Sequence, residues 1–307
     1  LDADALDDHR FSDLPGLLGP DDLLVVNRTR VRRARLLGRK ESGGRVEALL
    51  LAPLGDGRWE ALVRPARRLR PGIAIDFEGV LAEVVEGPTE GKAVLRIAGD
   101  DPEATIEAHG TVPLPPYFKG ALYDDGRYQT VYADRVGSAA APTAGLHFTE
   151  AVLDGVEERG VRRAAVDLEI GLDTFRPISA DTIEGHRMHT ERFRVGPDVV
   201  EAISETRRRG GEVVAVGTTV VRALESAARR TGEPEATEGS TDLYLTPGDR
   251  FRVIDRLITN FHVPGSTLVV LVAAFMGERW RKAYQTALDR GYRFLSFGDA
   301  MIVRRAA

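Results

Sequence analysis

The chain has 307 residues, 43% of them hydrophobic and 29% charged, with 47 acidic against 42 basic side chains and no cysteine. That mix suits a soluble globular protein able to bury roughly three quarters of its unfolded surface, in one large or two ordinary domains. It excludes disordered and collagen-like chains, disulfide frameworks, thiolate metal sites and cysteine nucleophiles.

In chain order, Leu1 rather than Met opens the sequence, so a preceding segment is expected, and no signal-peptide pattern is present. Leu23 to Asn27 reads as a buried strand. Arg28 to Lys40 follows, with seven of thirteen positions basic and none acidic; it is the favoured nucleic-acid surface of a chain whose net charge is −5. A second basic cluster is Arg64, Arg67, Arg68 and Arg70, and a third is Arg207 to Arg209. The basic set is 38 arginines and four lysines, and arginine is the planar, bidentate phosphate reader. From Arg45 to about Gly99 the pattern becomes four short strands split by Pro and Gly, which predicts a small antiparallel β-barrel.

After Tyr128 the pattern turns to strand–helix alternation. Helices are predicted after Thr149, after Asp198 (with Glu201 as a capping box), over Thr219–Arg230 and within Ser266–Arg290. Strands are predicted at Val161–Ile170, Glu212–Val216, Phe251–Thr259 and Tyr292–Ser296, and Thr231–Thr241 reads as a polar loop. The expected class is α/β: a larger α/β barrel-like domain, residues 1–38 and 112–307, with an inserted small antiparallel β-barrel domain, residues 39–111. The longest apolar run, Leu268 to Met276, is half a membrane span, so no membrane contact is expected.

Several motifs lead nowhere. Gly87 to Lys92 is one residue short of a P-loop, and no G-x-G-x-x-G, G-x-S-x-G or H-E-x-x-H is present. His186, His189 and Glu191 have the spacing of three metal ligands, a pattern too common to assign one, and no metal is expected. What stands out is the strand ends, where ligands bind in α/β folds. They carry Thr143, Gly145 and His147; Asp173 and Thr174; Gly217, Thr218 and Thr219 with Arg222 and Glu225; Asn260, His262, Ser266 and Thr267; and Asp299. The Gly217–Thr219 turn into a helix also presents free amide N–H groups to an anion. Together these groups describe an enzyme with a polar, partly anionic substrate.

The same stretches carry a resemblance. Pro113-Leu-Pro-Pro-Tyr117, Tyr128-Gln-Thr-Val-Tyr132, Ala140 to Phe148, Thr174-Phe-Arg-Pro177 and His186-x-Met-His-x-Glu191 are among them. Ala215-Val-Gly-Thr-Thr219, Thr259-Asn-Phe-His262 and Gly298-Asp-Ala-Met301 complete the set. The chain resembles the S-adenosylmethionine:tRNA ribosyltransferase-isomerase family of queuosine biosynthesis, from about residue 10 to 303.

The resemblance implies transfer and isomerisation of the ribosyl part of S-adenosylmethionine, a co-substrate. The acceptor is 7-aminomethyl-7-deazaguanine at the wobble position of tRNA, and the products are epoxyqueuosine, adenine and methionine. It implies proton transfer by His147 or His262, and a carboxylate seat at Arg222 and the Gly217–Thr219 turn. His189, Glu191 and Asp299 would orient amine or ribose groups. Thr143, Gly145, Asp173, Thr174, Asn260, Ser266 and Thr267 would line the substrate, and Arg28, Arg30, Arg32, Arg33 and Arg35 would face tRNA. A cytoplasmic monomer is expected.

Two departures stand out. The family's Asp-Phe-rich opening and Arg-Ser-Arg stretch have no counterpart here, and Glu169 and Asp173 stand where the family usually has His and Gly. A relative with altered chemistry and a non-catalytic tRNA-binding protein are the alternative readings.

Overall fold

Leu23–Asn27, β1, is buried at all five positions because it is flanked on both sides by parallel strands, β10 (Arg162–Leu168) and β12 (Val213–Val216). A strand covered on both faces has no solvent side, so it reads as a continuous apolar run rather than an alternation. The computed structural model that shows this describes residues 5–115, 117–118, 124–171, 178 and 180–306. Two compact units emerge, one from the N-terminal segment to Arg30 together with Arg127 onward, the other Val31–Gly126.

The larger unit begins with a 3-10 turn (Phe11–Asp13) and the short helix α1 (Leu14–Leu17), and β2 (Thr29–Val31) follows β1 at the junction. Past the second unit come β9 (Arg135–Ser138), a 3-10 turn (Thr143–His147) and α3 (Glu150–Glu158), then β10, β11 (Glu191–Val195) and α4 (Pro197–Arg209). Next are β12, α5 (Thr218–Ala227), β13 (Thr237–Thr241), β14 (Arg256–Asn260), α6 (Thr267–Met276), α7 (Arg279–Asp289) and β15 (Ala300–Arg304). Seven strands form one mixed sheet in the order β13-β11-β10-β1-β12-β14-β15. Its centre is parallel, whereas β11, β13 and β15 run antiparallel at the sides.

Alternate residues of the central strands feed two cores. Val25, Ala215 and Leu257 face a cluster with Ile203, Val220, Leu224, Val272 and Phe275 of the following helices. Val26, Val216 and Ile258 face the opposite cluster with Leu14, Leu153 and Val156.

The second unit is a closed barrel of six antiparallel strands: β3 (Arg35–Lys40), β4 (Arg45–Gly55), β5 (Arg58–Arg64), β6 (Ala74–Asp76), β7 (Leu81–Thr89) and β8 (Lys92–Ile97). Its interior holds Leu36, Ala48, Trp59, Ala61, Ile75, Val84 and Leu95, and α2 (Pro102–His109) adds Ile106. The antiparallel barrel was expected from four strands and has six. The other two arise from β3, which lies within the basic stripe where no strand is predicted, and from one predicted run that divides into the three-residue β6 and β7.

Three further expectations are corrected in the larger unit. Thr237–Thr241 is a strand rather than a polar loop, and it pairs with Glu191–Val195, a strand where no element is predicted. The last strand is Ala300–Arg304, whereas Tyr292 and Phe294 pack edge-to-face and tilted against Phe261. Helix α4 is capped by Gly196 with Pro197 at its first position, so Asp198 lies inside the first turn and forms no capping box.

Candidate active site

Strands β12 and β14 are neighbours in parallel register, Val216 beside Ile258, so their carboxyl ends open on the same edge of the sheet. Asn260, the last residue of β14, is fully buried yet polar, which calls for partners. It finds two in the Thr143–His147 turn. The Thr143 hydroxyl lies 3.0 Å from its Oδ1, and its Nδ2 stands 2.9 Å from Nε2 of His147. Phe11 stacks on the His147 ring at 5.1 Å and an interplanar angle of 25°.

A cavity of about 130 Å³ opens beside this imidazole, lined also by Tyr292, Asp299 and Met301. Burial pulls the His147 pKa below its ordinary value, Asp299 pulls it up, and Arg293 pulls it down. Asp299 is fixed by its own loop, accepting from the Arg293 backbone N–H at 2.6 Å.

The end of β12 is a second polar feature. Gly217 has φ 89° and ψ 155°, a region open essentially to glycine, and it turns the strand directly into α5. The first amides of that helix have no intrahelical acceptor. The Thr219 hydroxyl is buried and has no partner among the described residues. A Cβ at Gly217 would lie 3.5 Å from this hydroxyl oxygen and 3.6 Å from Ala144 Cβ, so the helix start and the turn that carries His147 adjoin. A helix N-terminus, a hydroxyl and an imidazole therefore share one strand edge.

Gly145 is required by close approach. A Cβ there would fall 2.1 Å from the Tyr132 hydroxyl and 2.7 Å from Thr130 Cγ2. Both the Tyr132 and Thr130 hydroxyls are buried without a partner, and burial raises the Tyr132 pKa. Both lie in the Tyr128-Gln-Thr-Val-Tyr132 segment that carries the family resemblance, without a role assigned to either.

One turn along α5, Arg222 pairs with Glu191, and both side chains are buried. Its remaining donors go to the carbonyls of Leu243, His189 and Thr241. Glu191 also receives the Gly171 N–H at 3.0 Å and lies 3.0 Å from His189 Nε2. Burial works against charge on both partners. The His189 hydrogen bond and the Arg222 charge nevertheless hold Glu191 below the usual carboxylate range. This is a self-satisfied ion pair, so the expected carboxylate seat at Arg222 is occupied from within.

The profile of the queuosine biosynthesis protein family matches residues 1–303. The chain belongs to that family. It is 52% identical to an S-adenosylmethionine:tRNA ribosyltransferase-isomerase of Gloeobacter violaceus, over 99% of this chain and 87% of that protein. A relative of the same name from Heliobacterium modesticaldum is also 52% identical, over 96% of this chain and 89% of its own length. Among solved structures, the S-adenosylmethionine tRNA ribosyltransferase of Thermotoga maritima matches with a TM-score of 0.53 and 34% identity, covering 98% of this chain and 89% of that one.

Within this family member, Thr143, Gly145, His147, Asn260, Gly217, Thr218 and Thr219 adjoin one another, and Asp299 lines the cavity beside His147. His262 turns inward instead. Its Nε2 is 3.0 Å from the Thr259 hydroxyl, its backbone N–H donates to the Tyr284 hydroxyl oxygen, and burial pulls its pKa down to about 4. Ser266 caps α6 by accepting from Val269 N–H, and Thr267 is that helix's first residue. Glu225 accepts three backbone N–H groups, from Arg252, Val253 and Ile254, and holds that loop. Glu169 lies against Gly137. Asp173 and Thr174 fall outside the described residues.

Most of the basic stripe is engaged inside the protein. Arg28 meets Asp167 at 2.9 Å, Arg32 covers the Trp59 ring, Arg33 donates to the Gly110 carbonyl, and Arg35 pairs with Glu47 at 2.8 Å. Arg30 is exposed. Among the described residues no cluster of three or more His, Asp or Glu is arranged to hold a metal, and no helix is long and apolar enough to cross a membrane.

Proposed function

We propose that the chain is an S-adenosylmethionine:tRNA ribosyltransferase-isomerase of queuosine biosynthesis. Its reaction moves the ribosyl group of S-adenosylmethionine onto 7-aminomethyl-7-deazaguanine at the tRNA wobble position, leaving epoxyqueuosine and releasing adenine and methionine. The observation that carries this reading is the strand-edge constellation of His147, Asn260 and the Gly217–Thr219 helix start. Near-full-length likeness to relatives bearing that name supports it.

The chemistry suits these groups. A sulfonium acidifies the adjacent 5′ C–H, so a positioned base can remove a proton and generate an ylide-like carbanion. A neutral imidazole is such a base, and burial keeps His147 neutral. The α5 amides and the Thr219 hydroxyl suit the methionine carboxylate, a role reassigned from Arg222 because its guanidinium is occupied by Glu191. Asp299 would then face the substrate amine or ribose from the cavity wall. His262, sealed against Thr259, is left as a structural histidine.

The test is a product balance. With S-adenosylmethionine and tRNA bearing the aminomethyl base, adenine, methionine and epoxyqueuosine should form in equal amounts. Tight binding of that tRNA without adenine release would instead make the protein a non-catalytic binder.

A further inference from the structure

The outer face of the barrel carries an arrangement that the fold does not need. In the β3–β4 ladder Arg39 stands directly opposite Arg45, and both are exposed. Directly opposed residues have Cβ atoms about 5 Å apart, and like charges there are destabilising. On the next strand Arg64 ends β5, opposite Glu47 of β4. The segment that follows is anchored by Leu69 in the barrel core, and Arg67, Arg68 and Arg70 around it all face solvent.

None of these six arginines has a carboxylate within 4.0 Å among the described residues. The acidic groups on the barrel strands are Glu47, Glu60, Asp76, Glu83 and Glu86, with Glu41 and Glu90 in the turns, and Glu60 and Glu83 are paired with Lys92 and Arg96. Of these, Glu47 is taken by Arg35, and Asp76 accepts the Gly79 N–H at 3.2 Å. Asp76 stands opposite Arg39 in the β3–β6 ladder and Glu47 opposite Arg64, so these two arginines are partly offset, whereas Arg45, Arg67, Arg68 and Arg70 keep their charge in a chain of net −5.

We propose that Arg39, Arg45, Arg64, Arg67, Arg68 and Arg70 form the surface that holds tRNA backbone phosphates, rather than the largely engaged Arg28–Arg35 stripe. This rests on the tRNA reading above. Arginine forks match phosphate oxygens two at a time, and a phosphate between Arg39 and Arg45 removes the repulsion that the ladder imposes. The surface reads backbone rather than sequence, as arginines without a carboxylate partner on a rigid barrel would; Arg39 donates only to the Gly43 carbonyl.

The test uses the full chain and substrate tRNA, with binding measured across a series of salt concentrations. R67A/R68A and R39A/R45A should each bind roughly tenfold more weakly per arginine removed at 0.1 M salt, with the salt slope reduced by about two. R67K/R68K keeps the charge and should keep most of the slope. An R67A/R68A protein with unchanged affinity and slope overturns the assignment, and does so while wild-type adenine release with tRNA leaves the transferase reading standing. A wild-type protein that neither binds tRNA nor releases adenine overturns both.

Discussion

Asn260 Nδ2 stands 2.9 Å from His147 Nε2, while the other end of the same amide meets the Thr143 hydroxyl at 3.0 Å. The orientation of one carboxamide therefore sets the tautomer of the imidazole. With Oδ1 toward Thr143, the NH₂ group faces Nε2, which must accept, and the ring proton resides on Nδ1. Asn260→Asp replaces that donor with an anion and favours the imidazolium. His147 in N260D should titrate at higher pH than in the parent, read from its Cε1–H resonance by NMR. An unchanged or lowered titration would break the link between the two residues.

Acid stability should be governed in part by His262. Its folded pKa, about 4, lies below the ordinary 6.5, so the unfolded chain binds a proton that the folded one refuses. The corresponding stability is whole above about pH 6.5 and is lost as pH falls toward 4. Linkage puts the loss from this group at about 2 kcal/mol between pH 7 and 5. Urea unfolding at the two pH values should show it, and H262Q should lose correspondingly less. Equal losses in parent and variant would argue that the ring is solvated.

The Glu191–Arg222 pair is a different acid-sensitive element. Glu191 is held below the carboxylate range, so its contribution is present at neutral pH and goes only as pH falls through that lowered value. Removing one partner strands the other's charge in the interior. Glu191→Gln should cost about 3–5 kcal/mol. A Tm close to the parent's would mean the site admits water.

Gly145→Ala should destabilise by overpacking, because the added carbon meets the Tyr132 hydroxyl and Thr130 Cγ2. A cost of about 1–3 kcal/mol is expected in chemical denaturation. G145A/Y132F should recover part of it, since the hydroxyl it removes has no partner to lose. No recovery would place the strain elsewhere.

Buried central elements were legible because their environment leaves a plain signature. β1 is apolar up to its last residue, Asn27, β12 is apolar throughout, and α3 is announced by Thr149, whose side chain caps Val152. The strands that were missed face solvent on one side. Glu191-Arg-Phe-Arg-Val alternates buried and exposed, with charges at the exposed places, and Thr237–Thr241 has a single buried residue. β3 was masked by its arginines, although its Leu36 is a core residue.

The strand-edge groups were legible as residue types, and Thr143, His147, Asn260 and Thr219 do adjoin. What composition and spacing do not carry is which polar groups satisfy each other. Arg222 and His262 look like ligand groups in sequence, yet each is bound within the protein. Thr130 and Tyr132, given no role from sequence, hold hydroxyls without a partner among the described residues against the His147 turn.

The most direct test of the assignment is the rate of adenine release from S-adenosylmethionine at saturating tRNA carrying the aminomethyl base, in wild type and in His147→Ala. Loss of a positioned base should slow the reaction by about 10²–10⁴, with tRNA affinity retained. Turnover of H147A at the wild-type rate would contradict the assignment of proton transfer to His147, and with it the proposed site.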